Sequence, residues 1–412
     1  MSYVEDVNTV RQDTAESDAF GRLRTSQLNS QLDLKQLHDN LPLFYSQYIS
    51  GNGTITHSED EAHSELASLS SPAVVMLQTK QRANYSSGKS QEILMTFNDF
   101  ALETNAVKRV GYFTHLDSTA GYDTDLDGLW LESDGANSVV SINVYKTGTQ
   151  IESTAQASWN LDPLDGTGES GLTWDWDGNT IFFLDFEWLG IGRIRWGVVH
   201  DGIVIYFHES NFSQASTGVY MSTPNQPIRA TLRQTGAGTA SFNFICSTVG
   251  SEGAINKLGK ILSDNLGTSI INANSTSNVY ALLGISLQSA KADTLVDLLD
   301  FSVLATTNDN QLIQIWLNPT VAGTFTYNNV TNSAVAIAKG DTGGGASTTT
   351  VTGGTLLYSQ YVSSQTATPI NLENAIRLGM DIDFTTDKIV LTTRPLTTNS
   401  DVTGSITWRE LT

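Results

Sequence analysis

The sequence predicts an all-β protein: a concanavalin-like or jelly-roll β-sandwich, then a second β-sandwich, with an extended arm at the N-terminus. Short segments alternate apolar and polar residues between turns rich in Gly, Asn and Asp, which is the period of a half-buried strand. Long helical periods are absent, and only 16% of the residues are charged. Hydrophobic residues make up 39% of the chain, enough for a sizeable core.

The chain is strongly acidic, with 43 acidic and 22 basic residues and a net charge of −21. A surface of this sign repels phosphate groups, which argues against direct nucleic-acid binding and against docking on anionic lipid. No apolar run approaches roughly 18 residues, and the N-terminus lacks the regions of a secretion signal, so we expect no membrane insertion. The single cysteine, Cys246, has no second cysteine for an internal disulfide, which is typical of a protein made in a cytoplasm.

The first of three regions, residues 1–42, is polar and has no dense apolar cluster. A weak apolar stripe that Pro42 would end, as a short helix or an extended segment, is formed by Leu28, Leu32, Leu37 and Leu41. We interpret this region as an arm that docks on a partner, and a frayed terminus is the alternative. Deleting residues 1–40 is then expected to leave the sandwiches folded.

The remaining chain divides into two β-rich regions, residues 43–250 and 251–412. Clean alternation in "SVVSINVYKTG" and the Asp201–Gly202 pair between apolar runs predict strands and a tight hairpin in the first region. The second region contains a Gly/Thr-rich segment at 339–354, which predicts a flexible loop.

One short repeat links these regions: "LFYSQYIS" at 43–50 returns as "LLYSQYVS" at 356–363. It predicts either the opening strands of two sandwiches or strands in equivalent positions of adjacent modules. Coincidence is the third interpretation.

The segment "DFEWLGIGRIRWG" predicts a hairpin whose register follows from its loop length. A three-residue turn at 190–192 aligns the apolar side chains on one face and places Glu187 opposite Arg195. A two-residue turn at 201–202 then places Arg195 opposite His208. With Tyr206 these residues make a polar face for a ligand, and Asp185 is left opposite Gly197, with no charged partner.

Asp185 and Glu187 are also candidates for the acid pair of a glycoside hydrolase, because neighbours on one face of a strand have a suitable spacing. An arginine opposite Glu187 would lower the pKa of that carboxyl, which disfavours a general acid. Position 189 is Leu where the strand-borne hydrolase motif has a third carboxylate. The sequence therefore predicts a non-enzymatic protein, with hydrolysis as the weakest of three hypotheses.

The segment "DTDLDG" resembles the start of a calcium loop, with Asp123, Asp125 and Asp127 as candidate metal ligands. Its twelfth position is Asp134 where a bidentate Glu is expected, and no flanking helices are predicted. A bound calcium ion and a solvated acidic turn are both open interpretations, and no other cofactor is predicted.

Several segments together carry a resemblance that covers most of the chain, from about residue 10 to the end. They include "DAFGRLRTSQ", "FEWLGIGRIRWGVVHDG", "VYMSTPNQPIR" and "TWREL". In this combination the chain resembles a family of tailed-bacteriophage virion structural proteins that is common in aquatic phages. The resemblance implies a lectin-like β-sandwich in the virion, assembled in the host cytoplasm, and brings no catalytic residues.

The leading hypothesis is therefore a capsid decoration protein, or a neck, baseplate or tail appendage. Other virion proteins and further copies of the chain are the expected partners, with a trimer favoured. The alternative is a carbohydrate-binding module that recognises host surface glycans through Glu187, Arg195, Tyr206 and His208. The residues expected to anchor the arm to the assembly are Phe20, Arg22, Leu23 and Arg24.

Overall fold

The computed structural model describes residues 17–115, 124–214, 218–253, 258–291, 293–343, 345–364, 368–397 and 399–411. The chain forms two compact units, Met1–Asn256 and Lys257–Thr412. The regular structure of the described residues consists of strands and two short 3-10 turns, Gln156–Ser158 and Ser289–Lys291, so the predicted all-β fold class is confirmed. No helix among these residues is long and apolar enough to cross a membrane.

The first unit is built from antiparallel strands joined by short turns. They are β1 (Leu28–Lys35), β2 (Tyr45–Ser58), β3 (His63–Thr79), β4 (Gln91–Asn98), β5 (Ala106–His115), β6 (Leu126–Asp134), β7 (Val139–Lys146), β8 (Thr149–Ala155), β9 (Thr180–Phe186), β10 (Arg193–His200), β11 (Ile203–Asn211), β12 (Ile228–Gln234) and β13 (Ala240–Glu252).

These strands form two layers that share the long strand β3. Residues 64–68 of β3 pair with β13, whereas residues 73–78 pair with β12. One layer continues from β13 through β4, β9, β10 and β11, and the other continues from β12 through β5, β6, β7 and β8. Because Phe182 and Trp196 of the first layer share one apolar cluster with Val110 and Ile142 of the second, the layers face each other as a sandwich.

The N-terminal region is part of this sandwich, so the prediction of a separate arm over residues 1–42 is wrong for its described residues. β1 pairs with β13, from Leu28 opposite Glu252 to Lys35 opposite Cys246. Leu32 and Leu34 are buried in the core of the unit. Of the two alternatives for the leucine stripe, the extended segment is confirmed over Leu28–Lys35: every second residue near the end of β1 turns inward, which is the period of a strand.

The second unit contains thirteen further strands among its described residues. They are β14 (Lys260–Asn265), β15 (Ile271–Ala273), β16 (Tyr280–Leu287), β17 (Leu295–Ala305), β18 (Gln311–Leu317), β19 (Thr320–Val321), β20 (Asn328–Asn329), β21 (Val335–Lys339), β22 (Val351–Thr352), β23 (Thr355–Val362), β24 (Thr368–Arg377), β25 (Lys388–Pro395) and β26 (Ser400–Leu411).

Two antiparallel sheets make the second sandwich. One has the order β14, β26, β17, β24, and the other has the order β20, β21, β16, β25, β18, β23. Their inner faces meet in an apolar core that includes Phe301 and Trp408 from one sheet and Ile285 and Leu391 from the other. The predicted loop at 339–354 begins at the end of β21 and includes the short strand β22.

Removing residues 1–36 is expected to lower the free energy of unfolding of the first unit by roughly 3–6 kcal/mol, since Leu32 and Leu34 each contribute about 1.5–3 kcal/mol by burial. Urea unfolding followed by tryptophan fluorescence measures the change. Removing only residues 1–16 is the control, because every contact described here is then retained. Equal unfolding midpoints for the two truncations would show that β1 adds nothing to the sandwich.

Candidate functional site

The hairpin of β9 and β10 has a different register from the predicted one. Arg195 lies opposite Asp185 and Ile194 lies opposite Phe186, so the predicted pairing of Arg195 with Glu187 is wrong by two residues. The connection runs over residues 187–192, where Gly192 N donates to Trp188 O at 2.9 Å. Tertiary bonds hold this wider connection, because the Trp188 N–H donates to the hydroxyl of Tyr85 at 2.9 Å.

The next hairpin contains the predicted Asp201–Gly202 turn, with His200 opposite Ile203. Beyond Gly197 a β-bulge shifts the pairing, so that Arg195 lies opposite Glu209 and His208 lies opposite Trp196. The predicted contact between Arg195 and His208 is therefore wrong.

His208 is held at a different place from Arg195. Its Nε2 lies 2.9 Å from Glu152 Oε1, and its Nδ1 accepts the N–H of Asn160 at 3.2 Å. The four residues of the predicted ligand face do not come together: only Arg195 and Tyr206 are in contact, with the guanidinium carbon 4.4 Å from the ring centre.

Asp185 is the centre of a buried ionic cluster. Its carboxylate is fully buried and accepts hydrogen bonds from Arg195 Nε at 2.9 Å, from Arg195 Nη2 and from Arg24 Nη2 at 2.6 Å. Arg24 also donates to Glu252 Oε1 at 2.7 Å and lies 3.4 Å from Glu92 Oε2. The prediction that Asp185 has no charged partner is wrong, because the register and the N-terminal segment supply two arginines.

The cluster contains three carboxylates, of Asp185, Glu92 and Glu252, and two guanidinium groups, of Arg24 and Arg195. The excess of carboxylates is reflected in the pKa of Glu92. Burial raises the pKa of Glu92 to about 7; Arg24 opposes that rise and Asp185 adds to it. Burial by itself would lower the pKa of Arg195, but the adjacent Asp185 outweighs burial and raises it. Arg195 is 0% exposed, so this part of the predicted ligand face is internal structure.

The N-terminal segment closes over the cluster. Arg195 Nη2 donates to Ser17 O at 2.7 Å, and Arg193 Nε donates to Ala19 O at 2.9 Å. Of the residues predicted to anchor an assembly, Arg24 is mostly buried inside the chain. Leu23 is the most exposed of the four, at 72%, and Arg22 is also exposed.

Two further members of the predicted anchor lie close together. Arg22 forms an ion pair with Asp18 at 2.7 Å, and its guanidinium carbon lies 4.4 Å from the centre of the Phe20 ring.

Asp185 and Glu187, the candidate acid pair of a hydrolase, lie in different surroundings. Asp185 is buried and ion-paired within the cluster. Glu187 lies beyond the end of β9 and accepts the Arg193 N–H at 3.2 Å. Burial raises the pKa of Glu187, although its contacts with Arg193 oppose the rise. The lowered pKa expected from Arg195 is absent because Arg195 is not its partner.

The predicted calcium ligands are placed only in part, because Asp123 lies outside the described residues. Asp127 is fully buried and accepts the N–H groups of Ser222 at 2.9 Å and Thr147 at 3.1 Å, and the amide of Gln226 at 2.6 Å. Asp125 is exposed and directly precedes β6. Within the described part of the chain, no three His, Cys, Asp or Glu side chains are grouped to hold a metal ion.

A groove of about 610 Å³ opens at one end of the first sandwich, and we call it the tryptophan groove. The loops after β4 and β6 and the long connection between β8 and β9 bring its walls together. Its apolar wall is made by Leu102, Val139, Val140, Ala155, Trp174 and Trp176, and its polar groups come from Ser138, Gln156, Asp165 and Asp175.

The two indole rings are fixed by hydrogen bonds at their edges. Trp176 Nε1 donates to Gln156 Oε1 at 3.1 Å, and Trp174 Nε1 donates to Thr180 Oγ1 at 3.1 Å. The ring centres lie 6.4 Å apart with an interplanar angle of 59°. Both indole N–H groups are therefore used within the chain. Trp174 is half-buried, whereas Trp176 is 7% exposed and belongs to the apolar core, so Trp174 is the ring that the groove leaves accessible.

The acidic turn "LDPLDGTGESG" shapes the rim beside these rings. Buried Asp162 accepts the N–H of Leu164 and the N–H of Ser170, each at 2.8 Å, and so fixes the turn. Asp165 is exposed, and its bonds from the hydroxyl and the N–H of Thr167 lower the pKa of its carboxyl. Asp165 is therefore a fixed, ionised acceptor at the groove.

The groove was not predicted from the sequence. The available signal was the segment "TWDW" at 173–176, where two tryptophans alternate with an acid directly after a polar turn. Trp176 belongs to the apolar core of the first unit, whereas Trp174 lies on the loop as a partly buried residue packed against that core.

No protein-family model matches this chain, and no curated protein does. Among solved structures, the chain is similar to a β-glucanase of Bacillus licheniformis, with 15% identity, a TM-score of 0.36 and coverage of 54% of this chain and 97% of that one. It is also similar to a legume lectin-like domain from Entamoeba histolytica, with 10% identity, a TM-score of 0.35 and coverage of 53% and 95%. The exoplasmic/lumenal domain of VIP36, in a Ca2+/Man-bound form, shares 11% identity at a TM-score of 0.31 and coverage of 49% and 82%.

Similarity of this degree extends over about half of the chain. It concerns the course of the backbone and carries no statement about activity or ligand.

Replacing Glu92 by Gln is expected to stabilise the first unit by about 2 kcal/mol at pH 8 and to flatten its pH dependence. Burial raises the pKa of Glu92 to about 7, so the folded state binds the proton more tightly than the unfolded state. The stability of the wild type therefore falls as the pH rises from the ordinary Glu value of 4.5 towards 7.

Urea unfolding at a series of pH values measures this effect. Glu59→Gln is the control for removing one exposed carboxylate from the same unit. A destabilised Glu92→Gln variant at pH 8 would mean that the charged carboxylate is needed in the cluster.

Proposed function

We propose that the first unit binds carbohydrate in the tryptophan groove and does so as a recognition module without catalysis. The observation that carries this proposal is the half-buried indole ring of Trp174, fixed by its bond to Thr180, in a groove that is also lined by the exposed carboxylates of Asp165 and Asp175. The apolar C–H face of a sugar ring packs on an indole face, and carboxylate oxygens accept hydrogen bonds from sugar hydroxyls. The volume of about 610 Å³ is in the range of small-ligand sites.

The charge of the site selects among sugars. Asp165 and Asp175 are the charged residues of the groove lining, in a chain of net charge −21. Sulfated or sialylated glycans would meet like charge here, whereas neutral glycans supply hydroxyl donors to both carboxylates. We therefore propose a neutral glycan of a host surface as the ligand.

Replacing Trp174 by Ala is expected to weaken binding of a neutral glycan by about tenfold or more, because losing a tryptophan anchor costs over about 1 kcal/mol. A glycan array identifies the ligand, and isothermal titration of the full chain measures the change. Trp174→Phe keeps an aromatic face and should retain most of the affinity.

Trp188→Ala is the matched control, because Trp188 is a partly buried tryptophan of the same unit that is outside the groove lining. Binding that survives Trp174→Ala, or an equal loss in Trp188→Ala, would remove the groove from the proposal.

We propose, in addition, that the chain is a structural component of a phage virion, as a capsid decoration protein or a neck, baseplate or tail appendage. The resemblance of segments such as "DAFGRLRTSQ" and "TWREL" supports this role. The exposed Leu23 in that first segment is the residue we expect to contact other virion proteins.

Purified particles should contain the protein when analysed by mass spectrometry, and Leu23→Asp should reduce its incorporation without changing its unfolding. Leu189→Ala is the control, because Leu189 is also exposed but lies outside the anchor. Protein found only in the soluble lysate, and not on particles, would contradict a virion role.

A further inference from the structure

The repeated YSQY segment forms the edge of a sheet in both units. Among the described strands, β2 pairs only with β3, and β23 pairs only with β18. Both strands therefore leave one row of backbone N–H and C=O groups without a neighbouring strand. The two copies differ only at Phe44, which corresponds to Leu357, and at Ile49, which corresponds to Val362.

Edge strands normally carry charges or prolines that prevent pairing with another chain. β23 carries neither, and no Asp, Glu, Lys or Arg occurs from residue 342 to residue 372. This uncharged strip lies in a chain of net charge −21. Two copies of so acidic a chain repel each other over most of their surface, so a strip without charge is where they can approach.

Two large side chains on one face of β23 are also accessible. Tyr361 is 70% exposed and Leu357 is 37% exposed. In the other copy of the repeat, Tyr48 is half-buried, although it occupies the position that corresponds to Tyr361. At this position the tyrosine is therefore partly covered within the first unit and open on β23.

The segment is complementary to itself when two copies run antiparallel. If Ser359 of one copy lies opposite Ser359 of the other, each Tyr361 lies opposite a Leu357, and each Tyr358 lies opposite a Gln360. Cross-strand aromatic and aliphatic pairs of this kind stabilise a sheet by roughly 0.2–1 kcal/mol each. No like charges face each other in this register, because β23 contains no charged residue.

We propose that two copies of this chain associate through β23, edge to edge and antiparallel, with the two-fold axis at Ser359. The six-stranded sheet of one copy then continues into that of the second, and the open backbone groups pair with each other. The contact is isologous and closes after two copies, in contrast to the trimer favoured from the sequence. It is independent of glycan binding, which takes place in the first unit.

Ser359→Cys, in a full chain that also carries Cys246→Ser, tests the register. Mild oxidation should give a disulfide-linked dimer, because opposed Cα atoms in an antiparallel pair lie roughly 4.5–5.5 Å apart. Thr355→Cys in the same background is the matched control, since two such residues would be separated by roughly 26 Å along the strands. Equal cross-linking of both variants, or none of Ser359→Cys, would overturn the proposed register.

Placing a charged residue at the two-fold axis tests the association itself, and sedimentation of the full chain measures the result. The wild type should sediment as a dimer of the 44.6 kDa chain, and Ser359→Lys and Ser359→Glu should each raise the dissociation constant by about tenfold or more. Mixing these two variants should restore the dimer. Because Ser359 is exposed, thermal unfolding should stay unchanged, and Thr355→Lys is the control that keeps the dimer.

A monomeric wild type at all concentrations would overturn the proposal. So would an oligomer of any size that both charge variants leave intact.

Discussion

The first unit is organised around one buried carboxylate. Asp185 is bound by Arg195 from the neighbouring strand and by Arg24 from the N-terminal segment. A carboxylate in the interior is strongly destabilising unless it is paired and hydrogen-bonded, so both arginines are required where they lie. Through Glu92 and Glu252 the same cluster reaches β4 and β13, so it ties the start of the chain to four strands of one layer.

The candidate glycan site is separate from this cluster and follows the usual division between scaffold and loops. The sandwich supplies rigid strand ends, and irregular segments between them carry Trp174 and Asp165. Those segments are themselves fixed: Asp162 binds two backbone N–H groups of its turn, and Gln156 receives the indole N–H of Trp176. Pre-organised side chains lose little entropy when a ligand binds, which favours affinity in a shallow groove.

The acidic surface and the uncharged strip act on association in opposite ways. Net charge keeps most of the surface of one copy away from another, and charge is missing along β23, where backbone groups are open for pairing. The proposed dimer and the proposed glycan site use different parts of the chain. A second copy would therefore present a second groove and add avidity for a surface that carries many glycans.

The sequence by itself determined the all-β class and local features such as β7 and the Asp201–Gly202 turn, because alternation and turn chemistry are local properties. It did not determine the partners of Asp185, because the wider connection at residues 187–192 sets the register of β9 and β10, and the distant Tyr85 holds that connection. The expectation of a separate N-terminal arm failed because of a similar long-range contact: β1 pairs with β13, which is more than 200 residues away in the sequence. The tryptophan groove was likewise decided by tertiary structure, because its walls come from loops far apart in the chain.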